Sequence, residues 1–287
     1  MKTNTTRNYL PPVDQLLTYG KAEWVLPQAW PDYLPLGLGP EHVPDLILLA
    51  TDEELMKAVR EKPEYWATIH AWRALGQLHA ESAVVPLLSQ LDLLDDDDDW
   101  GREELADVFE MIGSVAMPAL TAYIADASRD YSKRITVVEA AEKIVKQSPD
   151  LCPVYVTCLM EQLEQMLQLE AFVSGELEDE YAFTGFLVSG LTSCQAREAI
   201  PLIKSAFAAD RVDMIATGDW EDVQVRLGLI TNEEAKQIRS MRNIQPLDFN
   251  HTRNTPYIPP AKETKHPETQ KKSKRKRAQR SKKRQRK

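Results

Sequence analysis

The densest run of chemistry-bearing residues lies at positions 271–287. Of these 17 residues, 12 are basic: Lys271, Lys272, Lys274, Arg275, Lys276, Arg277, Arg280, Lys282, Lys283, Arg284, Arg286 and Lys287. None is acidic and none is aromatic. A segment without apolar groups cannot pack, so it is expected to be disordered alone. Without rings it has no platform on which bases stack. Its chemistry is therefore contact with the backbone phosphates of RNA, a ribosome or another polyanion, rather than sequence readout. Binding through about six phosphates would weaken roughly 10³-fold between about 50 and 200 mM salt. The same charges also suit a solubilising tail, an import signal in Lys274-Arg275-Lys276-Arg277, or docking on acidic parts of the chain itself.

Other reactive types are spaced less suggestively. His42, His70, His79, His251 and His266 place no two imidazoles three or four residues apart, the spacing that sets two metal ligands on one helix face. The run Asp95 to Asp99 invites a calcium reading, but an EF-hand loop starting at Asp95 puts Trp100 where glycine is needed, and one starting at Asp96 puts it at an oxygen-ligand position. The run reads instead as a solvated loop favouring the start of the next helix, and Glu176 to Glu180 reads likewise. His70 sits in an apolar stripe and reads as a hydrogen-bonded core or polar-edge residue. Cys152, Cys158 and Cys194, odd in number and without metal-type spacing, read as reduced, mostly buried thiols in a cytosolic protein. No Ser-His-Asp, Gly-rich phosphate-loop or Cys-His signature is present. The expectation is no catalytic residue, no metal and no cofactor.

Charge divides the chain. Residues 262–287 carry 14 Lys/Arg and 2 Glu, net +12, leaving 21 basic and 42 acidic residues in 1–261, net −21. An acidic body carries a basic tail, and each is read separately. No run approaches the roughly 18 apolar residues of a membrane span, and MKTNTTRNYLPP has no apolar signal-peptide core.

The elements follow from periodicity. In residues 64–91, Trp66, Ile69, Trp72, Leu75 and Leu78 fall three apart beside Ala67, Ala71 and Ala74, the stripe of an amphipathic helix that lets neighbours approach closely. His79 to Ser82 is a turn, with Ser82 as N-cap of a second helix bearing Val84, Val85, Leu87, Leu88 and Leu91. A first pair is expected from Glu41–Ala50 and from a capping box at Thr51 that starts a helix through Arg60. Later pairs use Leu105, Val108, Phe109 and Ile112 up to Gly113; Ile135 to Val145; and Tyr181 to Leu191. Second-helix prolines at 86, 118, 153 and 201 give steps of 32, 35 and 48. The first two steps lie in the period range of helical-pair repeats, and the insert Ser174 to Glu180 lengthens the third, loosening the stack there. Residues 1–40, punctuated by Pro27, Pro31, Pro35 and Pro40 among Tyr19, Trp24, Trp30 and Tyr33, read as a short helix near Asp14–Tyr19 and an extended strap that covers an end of the stack or, alternatively, fills a groove or binds a partner with its rings. The segment around Trp220 and a capped helix from Thr231 close the body.

The residues WATIHAWRALGQLHAESAVVPLL resemble a HEAT repeat of the short bacterial type, and MIGSVAMPAL repeats its Gly and Pro portion. The resemblance spans roughly residues 40–210 and implies a fold rather than an activity. HEAT-type di-iron hydroxylases use His-Glu pairs, which this chain lacks. HEAT-like DNA glycosylases need a basic face, whereas the body carries −21. HEAT-like bilin lyases share the Leu-Gly/Pro pattern and form the enzyme alternative. The chain is thus expected to be all-α. Its parts are a strap or cap (1–40), a right-handed α-solenoid of HEAT-like pairs (41–245), and a linker with a disordered basic tail (246–287). The expected role is a cytoplasmic, non-enzymatic scaffold that binds a protein along its second-helix face, with no membrane partner. An import-signal tail on a eukaryotic adaptor is the other alternative.

Overall fold

The structure, a computed structural model, describes residues 8–58, 61–95, 98–169 and 178–242. Every regular element among these residues is helical. The α-helices are α1 (Val43–Ala50), α2 (Glu53–Met56), α3 (Ala67–Gln77), α4 (Val84–Leu91), α5 (Asp99–Ile112), α6 (Met117–Ala125), α7 (Tyr131–Gln147), α8 (Cys152–Gln168), α9 (Glu178–Ser193), α10 (Ile200–Ala208), α11 (Met214–Thr217), α12 (Trp220–Arg226) and α13 (Asn232–Arg242). Helices α1, α3, α5, α7, α9 and α11 pack in succession, as do α4, α6, α8 and α10. The two rows are joined where α4 meets α5, α6 meets α7, and α8 meets α9.

One local plan recurs. A first helix stops, a 3₁₀ turn follows, and a second helix opens with proline among its first three residues. The 3₁₀ turns are Glu81–Ala83, Ser114–Ala116, Pro149–Leu151 and Arg197–Ala199, ahead of α4, α6, α8 and α10. Proline costs no hydrogen bond there because first-turn N–H groups have no helical acceptor. Gly113 stops α5 at φ 87°, but His79 and Gln195 take left-handed φ of 49° and 54° after α3 and α9. Each closes its turn with a paired cap: Ala80 N donates to Leu75 O and His79 N to Gly76 O, and Ala196 N donates to Leu191 O and Gln195 N to Thr192 O. Left-handed backbone at a non-glycine residue costs roughly 1–2 kcal/mol, so packing of the hairpins imposes these turns.

The apolar stripes lie inward as their spacing dictates, with Leu105, Val108, Phe109 and Ile112 buried on α5 and Val138, Ala141, Ile144 and Val145 buried on α7. Two buried rings also tie helices by hydrogen bonds. Trp72 Nε1 donates to Ala50 O (2.8 Å), linking α3 to the end of α1, and Tyr155 Oη donates to Val138 O (3.0 Å), linking α8 to α7.

Two expected starts differ. Ser82 makes no cap, because the 3₁₀ turn containing it runs straight into α4 and leaves no non-helical break for one. Asp52 rather than Thr51 caps α2, accepting from the N–H groups of Glu54 and Leu55, while the Thr51 hydroxyl bonds back to Ile47 O (2.8 Å) and so finishes α1. Helix α2 is a single turn, and residues 59–60 lie outside the described set. Of the acidic insert, positions 174–177 also lie outside it. From Glu178 onward, α9 packs on both α7 and α8.

The strap is a chain of 3₁₀ turns, Val13–Thr18, Pro27–Ala29, Leu34–Leu36 and Pro40–His42. Its Tyr9, Val13, Leu16, Trp30, Tyr33 and Leu38 belong to the same buried cluster as the helices. No single described helix is long and apolar enough to cross a membrane. The bent pair Asp99–Ile112 and Ser114–Ala125, meeting at 109°, passes that test jointly by length and composition, and its Leu105, Val108, Phe109, Ile112, Leu120 and Ile124 lie in the core.

Candidate interaction face

Beneath the strap, α3 carries a polar stripe. His70, Arg73 and Gln77 lie three and four residues apart and hence on one helix face. Each holds strap backbone: His70 Nε2 donates to Gly20 O (3.0 Å), Arg73 Nη2 to Glu23 O (2.8 Å), and Gln77 Nε2 to Pro31 O (2.8 Å). Gln77 Oε1 in turn accepts from Tyr33 N (2.9 Å). A carbonyl only accepts, so His70 bears its proton on Nε2, and Nδ1 accepts from the Tyr33 hydroxyl (2.7 Å). Burial holds His70 neutral, depressing its pKa to about 4, and pushes Tyr33 up to about 12.

Arg73 Nε also pairs with Glu104 of α5, both side chains being almost fully buried, and its guanidinium lies 4.7 Å from the Trp30 ring centroid. The other Glu104 oxygen accepts from Trp100 Nε1 (2.7 Å). Burial raises the Glu104 carboxyl above its usual range, with Arg73 and Trp100 pulling the other way. Trp24 of the strap stacks on Trp100 (6.1 Å between centroids) and donates to Glu103 (3.1 Å). The strap therefore runs along the faces of α3 and α5 rather than only capping an end. His70, Gln77 and one nitrogen of Arg73 are spent on holding it.

The row α4, α6, α8 and α10 has a different surface. Helices α4 and α6 contain no charged residue, and α8 has none before Glu161. Val85 is 64% exposed, Val115 47% and Val154 58%, with Pro118, Pro153 and Pro201 exposed beside them. At the fifth or sixth position each helix carries a hydroxyl that bonds back to its own backbone: Ser89 to Val85 O (3.2 Å), Thr121 to Met117 O (2.9 Å), Thr157 to Pro153 O (2.9 Å) and Ser205 to Pro201 O (3.0 Å). First-turn prolines offer water no N–H, and these hydroxyls are already partnered. Covering such a face costs little desolvation of polar groups.

The first-helix row beyond the strap is charged. On α5 and α7, Lys143 pairs with Asp107 and lies 3.9 Å from Glu110, and Lys146 pairs with Glu142 (2.8 Å). Glu139 of α7 meets water yet sits in crowded surroundings, and desolvation lifts its carboxyl to about 7. A half-open cavity of about 520 Å³ lies between α2, α3 and the residues after α4, with Met56, Tyr65, Ile69, Trp72 and Leu93 among its walls. The polar pair at its wall, Glu53 and Lys57, is exposed and joined at 2.7 Å.

The twelve basic residues of 271–287 lie outside the described residues. Asp98 caps α5, accepting from Gly101 N (3.0 Å), and among the described residues no cluster of His, Cys, Asp or Glu could hold a metal ion. The sequence reading missed the strap's polar anchors and the meeting of Cys152 with Cys194, whose sulfurs lie 2.8 Å apart. The i, i+3, i+7 spacing of His70, Arg73 and Gln77 was the one available signal for the anchors. No family model, curated protein or solved structure matches the chain.

Proposed function

We propose that the chain is a HEAT-like right-handed α-solenoid that acts as a non-enzymatic scaffold. In this reading, the second-helix face binds a protein partner and the basic tail contacts RNA or another polyanion. The observation that carries the first part is the recurrence, on four successive second helices, of exposed valine or proline beside a self-bonded hydroxyl. Such a face is apolar enough to be covered and makes few polar demands, as the centre of a protein interface requires. The charged first-helix row is unsuited to that role, and its beginning is occupied by the strap. For the tail, the support is the +12 charge of residues 262–287 beside a body of −21.

The test is capture of partners from native lysate by the intact chain and by the Val85→Glu/Val154→Glu variant. Both positions are exposed, so the variant is expected to fold with stability within about 1 kcal/mol of the parent. Loss of a captured protein supports the face, and equal recovery overturns it. For the tail, nucleic-acid carry-over is compared between the intact chain and one ending at residue 261, with and without nuclease. Equal carry-over overturns that part.

A further inference from the structure

We propose that Cys152 and Cys194 are a site of reversible oxidation, closing to a disulfide on reaction with a small disulfide such as oxidised glutathione. This inference is independent of the scaffold reading. Cys152 is the first residue of α8, and Cys194 follows the last residue of α9, its N–H still bonded to Gly190 O (3.1 Å). The packing of α8 on α9 thus brings together two thiols 42 positions apart, with their sulfurs 2.8 Å from each other. A disulfide requires only that they close by about 0.8 Å. Both residues are half-buried, so a small reagent reaches the pair. Cys158 does not compete. It is buried, donates to Thr121 O (3.5 Å), and burial pushes its thiol up to about 11.

The Cys194 thiol is also raised, by burial first, then by its hydrogen bond to Cys152 and by the carboxylates of Glu142 and Glu198. Either sulfur can open the exchange, and the steps balance alike with the roles reversed. When Cys152 opens it, its thiolate attacks one sulfur of oxidised glutathione, forming a mixed disulfide and releasing one glutathione thiolate, which takes up a proton. Cys194, losing its own proton, then attacks the protein-side sulfur of that mixed disulfide. The Cys152–Cys194 bond forms and the second glutathione leaves. The protein gives up two protons and two electrons, and the small disulfide receives both. The product closes a loop containing α8, residues 169–177 and α9, so it restricts the unfolded chain and staples the two helices.

The experiment incubates the full-length chain with oxidised glutathione, followed by intact mass, peptide mapping and thermal melting. The expected result is a monomer lighter by two hydrogens with one remaining thiol, a cross-linked Cys152/Cys194 peptide, and a midpoint raised by roughly 10 °C that dithiothreitol reverses. The Cys158→Ser variant should behave alike, leaving no thiol. Stable glutathione adducts without the cross-link, a cross-link through Cys158, or covalent dimers would overturn the assignment. A cross-linked chain melting no higher than the reduced one would overturn the staple. Should Cys152→Ser or Cys194→Ser prove unfolded, the Cys158→Ser chain alone decides the outcome.

Discussion

Arg73 on α3 and Glu104 on α5 form a buried ion pair, and a second nitrogen of the same guanidinium holds the Glu23 carbonyl of the strap. One side chain thus joins three segments separated by 50 and 31 positions. Removing one member of a buried pair leaves the other charged and unsolvated. Arg73→Met is therefore expected to cost about 3–5 kcal/mol. Arg73→Met combined with Glu104→Leu should cost clearly less than the sum of the two single changes. Urea denaturation of the three variants measures the difference. Limited proteolysis should cut near Glu23 in both Arg73 variants, because the strap has lost its anchor in each.

Two groups give stability opposite pH slopes. His70 resists protonation until about pH 4 in the folded chain, whereas an unfolded histidine takes its proton near pH 6.5. Stability is therefore complete above about 6.5 and falls as pH drops towards 4, by up to about 3 kcal/mol. Glu139 stays protonated to about pH 7 when folded but ionises near 4.3 when unfolded. Its contribution is full below about 4.3 and is lost as pH rises through 7. Thermal melts from pH 4 to 8 should show a flatter acid limb for His70→Gln. Glu139→Gln should raise the midpoint at pH 8 and leave it unchanged at pH 4. An unchanged acid limb in His70→Gln would refute the first assignment.

Arg134 is buried on α7, where it donates to Ile124 O (2.8 Å) and Gln162 Oε1 (2.6 Å), with the Phe183 ring centroid 4.2 Å from its guanidinium. Arg134→Met should cost about 2 kcal/mol, chiefly through the stranded carbonyl and amide. Adding Gln162→Leu should recover part of that loss. A double variant weaker than the single one in urea titration would sink this account.

Gly190 sits where α9 crosses α8. A Cβ there would lie 2.6 Å from Leu159 Cδ1 and 2.7 Å from the Tyr155 hydroxyl, which is itself tied to Val138 O. Gly190→Ala should thus destabilise by about 1–3 kcal/mol despite alanine's better helix propensity. At Gly76 the nearest atom would be Met111 Cβ at 3.3 Å, so the facing helix need give by only a few tenths of an ångström. Gly76→Ala should therefore stay within about 1 kcal/mol of the parent in the same titration.

The helices were legible because their information is local. The three-apart spacing on α3 and α5, the second-helix prolines, and the Thr231/Glu234 box, in which Thr231 N meets Glu234 Oε2 at 2.7 Å, all lie within one or two turns. What escaped is carried by pairs distant in sequence. Tyr33 meets His70 across 37 positions and Trp24 meets Glu103 across 79, and no periodicity encodes either. Arg73, Lys133 and Arg134 resemble solvated helix positions by residue type, yet all three are buried, because carbonyls, amides and rings from other segments replace water around them. The turns at His79 and Gln195 were legible, but their left-handed backbone was not, since glycine is the usual signal for it.

The strap's dependence on α3 and α5 also sets a schedule for synthesis. Trp24 precedes its partner Glu103 by 79 residues, so a ribosome adding about 5–20 residues per second exposes the strap for roughly 4–16 s before α5 exists to receive it. Its carbonyls lack their native partners until α3 is made, and Trp24 lacks its own until α5 follows. A chaperone that captures nascent chains should therefore be found on the strap early and leave it once α5 has emerged.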